Sequence, residues 1–294
     1  MREVTVAPVA GIAIVHQLSD HIVLDRRDAV PWPGTSVTEP PLVIRHERGD
    51  ARPPGMRRTL AVPPWCEFQL DGRGEPASLF HAIFGEVDRL LCCEVPGRAY
   101  VVRYAEQPRE PVVALQSELA AFSFAIAARG SGLIAHACAF ATCHGEGVLC
   151  PGVSGTGKTT LARLIARQGD GPAMLTDDRA VVTLGEGGLS VWGSPWPGAA
   201  RIAGSGPARL TTVMFIRHGA KMALRDIRPS DAFRRIVNTV SMPLWEPARC
   251  GRALEIIDAI VTTARLVEAT YPPTAAAADW LIGALDVRAE AVCR

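Results

Sequence analysis

The sequence predicts an α/β fold preceded by a β-rich region. After residue 112, helix signals alternate with short apolar strands, which is the pattern of an α/β domain. Before residue 110, short runs rich in Leu and β-branched residues are separated by prolines, as in strands joined by turns. The chain has 294 residues, of which 48% are hydrophobic and 21% charged. This composition supports a sizeable core and argues against intrinsic disorder.

Residues 1–110 are predicted to form an accessory region made mostly of strands. The apolar run 4–15 is interpreted as a strand pair rather than a signal peptide, because only Arg2 precedes it and Pro8 interrupts it. A helix is predicted at about 78–92, where apolar residues recur at spacings of three and four. The other strands predicted in this region are 12–15, 22–25, 42–46 and 100–104.

The Pro-containing segment 106–111 marks a candidate boundary, and a loop inside one continuous domain is the alternative. Residues 111–294 would then form the second region. Its predicted helices are 113–128, 157–167, 230–239, 250–264 and 275–285, the last one capped by Thr274. Its predicted strands are 133–141, 147–150, 173–175, 180–184, 212–216 and 265–269.

Charge and cysteine content exclude several classes of protein. The 31 basic and 30 acidic residues give a net charge of +1, which argues against a general binder of nucleic acid or of anionic membranes. No run of apolar residues free of charges and breakers is long enough for a transmembrane helix. The eight cysteines contain no C-x-x-C pair and no zinc-ligand spacing, so we expect reduced core thiols in a cytoplasmic protein. The alternative for the vicinal pair Cys92-Cys93 is a redox role.

Residues 147–160, GVLCPGVSGTGKTT, contain the most informative motif. Gly152, Gly157, Lys158 and Thr159 satisfy G-x-x-x-x-G-K-[ST], with an apolar strand before the loop and a helical pattern after it. Glycines let backbone N–H groups surround phosphate, the lysine reaches the β- and γ-phosphates, and the hydroxyl binds Mg²⁺. An incidental Gly-rich turn is the disfavoured alternative. The predicted nucleotide-binding residues are Gly152, Val153, Ser154, Gly155, Thr156, Gly157, Lys158, Thr159 and Thr160.

A pair of carboxylates, Asp177 and Asp178, follows the predicted strand 173–175. Beside a phosphate-binding loop, one carboxylate can hold a metal and the other can take a proton from an attacking hydroxyl. Two like charges in one cleft would also raise one of the two pKa values. A solvated turn is the alternative, which the spacing from the loop disfavours.

The order of these motifs resembles that of the bacterial HPr kinase/phosphorylase group and its shorter kinase relatives. That group belongs to the phosphoenolpyruvate-carboxykinase-like P-loop enzymes. The resemblance rests on Ala135-His136-Ala137, a short hairpin, the SGTGKTT loop, one helix and the sequence LTDDRAVV. It covers about residues 130–185 and is not evident over 1–110.

The resemblance implies a P-loop kinase domain of this type that uses ATP and Mg²⁺. By its motif positions, Lys158 and Thr159 would bind phosphate and Mg²⁺. Asp177 would be the metal partner, Asp178 the general base, and His136 an active-site residue. A hydrogen-bonded core histidine is the alternative for His136.

This sequence departs from the bifunctional members of the group. Residues 193–198, GSPWPG, lack the carboxylate those enzymes carry, which resembles the shorter relatives that phosphorylate a serine of a peptide. The late catalytic Arg of the group has no clear counterpart; the candidates are Arg201, Arg249 and Arg252. Trp196 and Trp245 either pack on the core, which we favour, or form a wall of the acceptor cleft.

The sequence and the resemblance together predict an ATP-dependent kinase. Its acceptor would be a Ser or Thr hydroxyl of a peptide or protein, as in a tailoring kinase for a ribosomal peptide. The alternatives are a kinase of a small molecule, such as an amino acid or sugar, and a non-catalytic ATP-gated binding module that presents residues 1–110 to a partner. No nucleic-acid or membrane partner is expected, and the resemblance leaves a homo-oligomer open.

Overall fold

The computed structural model describes residues 1–19, 22–25, 34–50, 57–62, 66–80, 88–106, 108, 112–113, 115–169, 171–204 and 206–292. Within these residues the chain is a mixed α/β protein with two mixed eight-stranded sheets, a two-stranded sheet and five helices. It divides into two compact units. The first comprises Met1–Ala29, Gly34–Gly130 and Pro243–Arg252, and the second comprises Ser131–Met242 and Ala253–Arg294. None of the described helices is long and apolar enough to cross a membrane.

The first unit is built on an eight-stranded sheet and one helix. The strand order is β1-β2-β4-β9-β8-β7-β6-β5, with β2–β4 and β4–β9 parallel and the remaining pairs antiparallel. The elements are β1 (Arg2–Val9), β2 (Ile12–Leu18), β3 (Leu24–Asp25), β4 (Glu39–Arg48), β5 (Arg57–Val62), β6 (Cys66–Leu70), β7 (Pro76–Phe80), β8 (Arg89–Val95), β9 (Ala99–Tyr104), β10 (Val112–Val113) and α1 (Leu115–Arg129).

Strand β2, near the start of the chain, shows the alternation of burial that is typical of strands. Along β2 every second residue is buried, which confirms the predicted strand pair at the start of the chain. Pro40 and Pro41 lie at the start of the central strand β4, ahead of its pairing with β9, which begins at Val43. A proline at the start of a strand removes no hydrogen bond from the ladder.

The helix predicted at 78–92 is wrong where the structure describes it. Residues 76–80 and 89–95 form the strands β7 and β8, which pair antiparallel with Leu79 opposite Leu90. Ala77, Leu79, Leu90 and Cys92, which are alternate residues of the two strands, share one core cluster, as expected when side chains of a strand point to opposite faces in turn. Residues 81–87 lie outside the described residues.

Helix α1 belongs to the first unit, whose central segment continues to Gly130. The ring of Phe124 packs 6.3 Å from that of Tyr100 on β9. Glu118 is buried against His16 of β2, with Oε2 3.1 Å from Nε2.

The second unit has a sheet with helices on both faces. Its elements are β11 (Gly132–Ala141), β12 (Glu146–Pro151), α2 (Lys158–Ile165), β13 (Ala173–Thr176), β14 (Arg179–Gly185), β15 (Gly188–Trp192), β16 (Ala208–His218), β17 (Ala223–Asp226), α3 (Pro229–Val237), α4 (Pro247–Thr263), β18 (Arg265–Tyr271) and α5 (Ala275–Val292). The residues of α4 up to Arg252 are counted with the first unit. The helices and strands predicted for this region are confirmed, and β15 and β17 are additional.

Alternating residues of β16 supply two cores. Met214 joins a cluster with α2 and α5, while Val213 and Phe215 join a cluster with α3 and α4. The order is β12-β11-β14-β15-β16-β18-β17, and β12 also pairs with β16, which closes five strands into a ring. Strand β12 approaches β15 so closely at Gly147 that only glycine fits there, because a Cβ would lie 2.5 Å from Val191 Cγ1.

The adjacent cysteines Cys92 and Cys93 are both buried free thiols. Burial raises the pKa of Cys92 to about 11 and that of Cys93 to about 12. Because the thiolate is the reactive species, these values favour inert core thiols over a redox pair.

Candidate functional site

The glycine-rich loop, residues 152–157, joins the end of β12 to the start of α2. Gly155 and Gly157 have φ values of 84° and 99°, in the left-handed region that glycine adopts without strain. A Cβ on Gly157 would lie 2.9 Å from Cε1 of His218. The strand, loop and helix therefore follow one another as the motif requires, with the positive end of the α2 dipole at the loop.

Hydrogen bonds hold the loop in shape. The N–H of Gly152 donates to the carbonyl of His136 at 3.1 Å, and the Thr156 hydroxyl donates to the carbonyl of Val153 at 2.9 Å. Nζ of Lys158 donates to the carbonyls of Gly152 at 2.7 Å and Val153 at 3.0 Å. The lysine thus closes the loop on itself.

Lys158 is 6% exposed and lies within the electrostatic reach of Asp178. Burial lowers the pKa of its ammonium group, and the negative charge of Asp178 opposes that effect. Backbone hydrogen bonds also connect Asp178 to the loop, because the N–H of Ala137 donates to the carbonyl of Asp178 at 3.0 Å and the carbonyl of the adjacent His136 accepts the N–H of Gly152.

Asp178 lies between two nitrogen donors. Its Oδ1 is 2.9 Å from Nε2 of His136, and its Oδ2 is 2.8 Å from Nη1 of Arg179. Between 25% and 31% of each of these three side chains is exposed, so the group is open to a substrate.

The pKa of the Asp178 carboxyl lies below its ordinary value. Burial acts to raise it, but the hydrogen bond from His136 and the charges of Arg179, His136 and Lys158 together outweigh burial. The sequence suggested that adjacent like charges would raise one pKa of the pair. For Asp178 the neighbouring cations decide the direction instead.

The carboxylate of Asp177 is directed towards the backbone of residues 198–202. Asp177 is 1% exposed, and its carboxylate accepts hydrogen bonds from the N–H groups of Gly198 at 2.8 Å, Ala200 at 2.7 Å and Ile202 at 3.4 Å. A Cβ on Gly198 would lie 2.7 Å from the Cβ of Asp178. Asp177 therefore fixes the segment 198–202 next to Asp178.

The oxygen ligands near the loop suit a magnesium ion that is bound mainly by phosphate groups of a substrate and by water. Among the residues that the structure describes, none hydrogen-bonds the Thr159 hydroxyl, which leaves it available to a cation. The described residues contain no group of three His, Cys, Asp or Glu that could hold a metal ion. Mg²⁺ commonly keeps several waters and binds through one or two protein oxygens plus substrate phosphates, so these residues fit it.

The remaining predicted residues of the motif are exposed. Val153 and Ser154 lie in the loop, and Thr160 lies in the first turn of α2. Of these, Val153 is an apolar side chain that is 55% exposed.

The two tryptophans are placed as packing residues. Trp196 is 1% exposed. Trp245 is half-buried in the first unit and meets Phe124 edge to face, with the ring centroids 5.3 Å apart. Neither position resembles an open cleft wall.

Within the described residues, the structure shows no contact between Asp178 and the three arginines that the sequence offers as catalytic candidates. In the first unit, Arg249 pairs with Glu75 at 2.9 Å, and Nε of Arg252 donates to the carbonyl of Gly130 at 3.0 Å. Arg201 is exposed and has a φ of 56°. The arginine that contacts Asp178 is Arg179, which the sequence reasoning missed although it directly follows the aspartate pair.

No family model matches this chain, and no curated protein is significantly similar to it.

Proposed function

We propose that this protein is an ATP-dependent kinase that transfers the γ-phosphoryl group of ATP to a Ser or Thr hydroxyl of a peptide or protein. The observation that supports this most directly is the shared site of Lys158, Asp178 and His136 beside the glycine-rich loop. A loop that only bound phosphate would not need a carboxylate and an imidazole at its lysine.

Binding of ATP begins with backbone groups. The N–H groups of the glycine-rich loop and the first turn of α2 face the phosphates, where the helix dipole adds a favourable field. Lys158 exchanges its carbonyl partners in the loop for β- and γ-phosphate oxygens.

The Thr159 hydroxyl would hold Mg²⁺ together with phosphate oxygens and water. When bound, the ion neutralises charge that develops on the β- and γ-phosphate oxygens. The carboxylate of Asp177 already accepts three backbone N–H groups, so we assign it the positioning of the segment 198–202.

Asp178 acts as the base in the transfer. The acceptor hydroxyl oxygen forms a bond to the γ-phosphorus while the bond from phosphorus to the bridging β-oxygen breaks, releasing ADP. The hydroxyl proton passes to the Asp178 carboxylate, which His136 keeps aimed through its 2.9 Å contact. The products are a phosphate ester, ADP and a proton that later leaves Asp178.

The peptide or protein acceptor is proposed from the resemblance to the shorter HPr-kinase-like proteins. The absence of a carboxylate from GSPWPG agrees with that subgroup. The first unit would then take part in recognition of the acceptor.

Transfer of label from γ-labelled ATP tests this function. The protein is incubated with Mg²⁺, labelled ATP, and either peptide pools or a protein-free extract of small molecules. We expect label in a peptide fraction, and a loss of about 10²–10⁴-fold in rate for Asp178→Asn with little change in ATP affinity.

The matched control is Asp258→Asn, a change at an exposed position on α4 that should leave the rate unaltered. Label only in small molecules would reject the peptide acceptor. ATP binding without transfer to either pool would reject the kinase and favour a binding module.

A further inference from the structure

Arg179 is a charged residue of the site that has no part in the mechanism described above. It opens strand β14 and lies directly opposite His136 in the β11–β14 register. Its Nη1 is 2.8 Å from Oδ2 of Asp178 and 3.3 Å from the carbonyl of the same residue. The side chain of Arg179 is 30% exposed.

The charges in this group do not cancel. Lys158 and Arg179 are cations, and Asp178 is the carboxylate that lies within reach of both. The neighbouring carboxylate of Asp177 is turned towards backbone N–H groups. A site with an excess of positive charge is completed by an anion, which fits the phosphates of ATP.

The position of Arg179 also fits the reacting atoms. A hydroxyl that gives its proton to Asp178 lies about 2.6–3.2 Å from that carboxylate. The phosphorus that this hydroxyl attacks lies about 3–3.5 Å further on. A guanidinium that is bound to the same carboxylate therefore lies near the place where the phosphoryl oxygens would be.

We propose that Arg179 is a catalytic residue that moves from Asp178 to the transferring phosphoryl group during the reaction. This inference rests on the proposed kinase function and assigns one more residue to it. As Asp178 accepts the hydroxyl proton, it loses the negative charge that holds Arg179. At the same time charge spreads over the equatorial oxygens of the phosphoryl group. Arg179 stays protonated and only changes its partner.

Arginine suits this exchange better than lysine. Its planar guanidinium presents several N–H donors in a fixed geometry and can bind two oxygens at once. We therefore expect Arg179→Lys to keep part of the function that Arg179→Ala loses.

The test compares binding of the ground state with binding of a mimic of the transition state. The full chain and the variants Arg179→Ala and Arg179→Lys are titrated with Mg²⁺ and ATP, and separately with Mg²⁺, ADP and aluminium fluoride. We expect Arg179→Ala to bind ATP within about threefold of the wild type, to bind the aluminium fluoride complex about 10²–10³-fold more weakly, and to lose kcat by a similar factor. Arg179→Lys should lie between the two.

The matched control is Arg209→Ala, at an exposed arginine at the start of β16, opposite the start of β12 and thus far from the loop. Circular dichroism checks that each variant is folded. If Arg179→Ala is not folded, Arg179→Lys is compared with the wild type in its place. Equal losses for ATP and for the aluminium fluoride complex, or no loss for either, would overturn the role of Arg179 while the wild type still transfers phosphate. A wild type that transfers no phosphate would overturn the kinase function, and this inference with it.

Discussion

Asp177 and Asp178 are adjacent in sequence, yet their carboxylates have different partners. The chain bends directly after β13, where the Thr176 hydroxyl accepts the N–H groups of Asp178 and Arg179, each at 3.3 Å. This bend turns one carboxylate towards the segment 198–202 and the other towards His136 and Lys158. The sequence motif predicts two carboxylates at this position, but the bend decides which partners each of them has.

Asp177→Asn should therefore act on stability more than on chemistry. An amide at this position offers one carbonyl oxygen where two carboxylate oxygens accept three N–H groups, so buried donors are left unpaired. We expect a loss of about 1–3 kcal/mol in the free energy of unfolding, measured by urea titration. Asp178→Asn is the comparison, with a smaller stability change and a larger loss of transfer rate. Full stability of Asp177→Asn together with a large loss of rate would instead place Asp177 in the chemistry.

At the scale of elements, the glycine-rich loop was predictable because all its determinants are local. One strand, six loop residues and one helix follow each other in sequence, and two glycines with positive φ let the loop curve. The helix predicted at 78–92 is wrong because apolar residues at spacings of three and four also occur in two separate strands. The pairing of Leu79 with Leu90 decides between them, and pairing is not a local property.

Gly157→Ala should damage this element in two ways. The φ of 99° strains any residue with a Cβ, and that Cβ would also meet the ring of His218 at 2.9 Å. We expect a cost of about 1–3 kcal/mol in the free energy of unfolding and weaker binding of ATP, measured by titration. Adding His218→Ala should restore the steric part only. The control is Gly185→Ala, where a Cβ has open space, and equal effects of the two glycine changes would contradict the argument.

At the scale of the whole molecule, buried polar residues from distant parts of the chain meet in the first unit. His16 on β2, His46 on β4, Tyr104 on β9 and Glu118 on α1 form a continuous line of contacts of 2.7–3.1 Å. All four side chains are at most 1% exposed. Burial, followed by the charges of His16 and Arg89, holds the pKa of His46 well below its ordinary value of 6.5.

This pKa shift predicts that stability falls on mild acidification. Below pH 6.5 the unfolded chain takes up a proton on His46 that the folded protein does not, so unfolding becomes easier as the pH falls. The slope is at most about 1.4 kcal/mol per pH unit for one such group. His46→Gln should be less stable than the wild type at pH 7.5 but lose less stability between pH 6.5 and 5.5, measured by urea titration. His144→Gln, at an exposed turn, is the control, and an unchanged slope in His46→Gln would contradict the prediction.

Residue order alone dictates the α/β pattern after residue 112, the glycine-rich loop and the acidic pair after the next strand. These features depend on spacing, helix and strand periods and glycine conformation, all of which act over a few residues. Tertiary structure decides that β7 and β8 are strands, that Asp177 supports a loop while Asp178 contacts His136, and that Arg179 joins the site. Those outcomes depend on strand register and on charges brought together from distant segments, which local patterns do not encode.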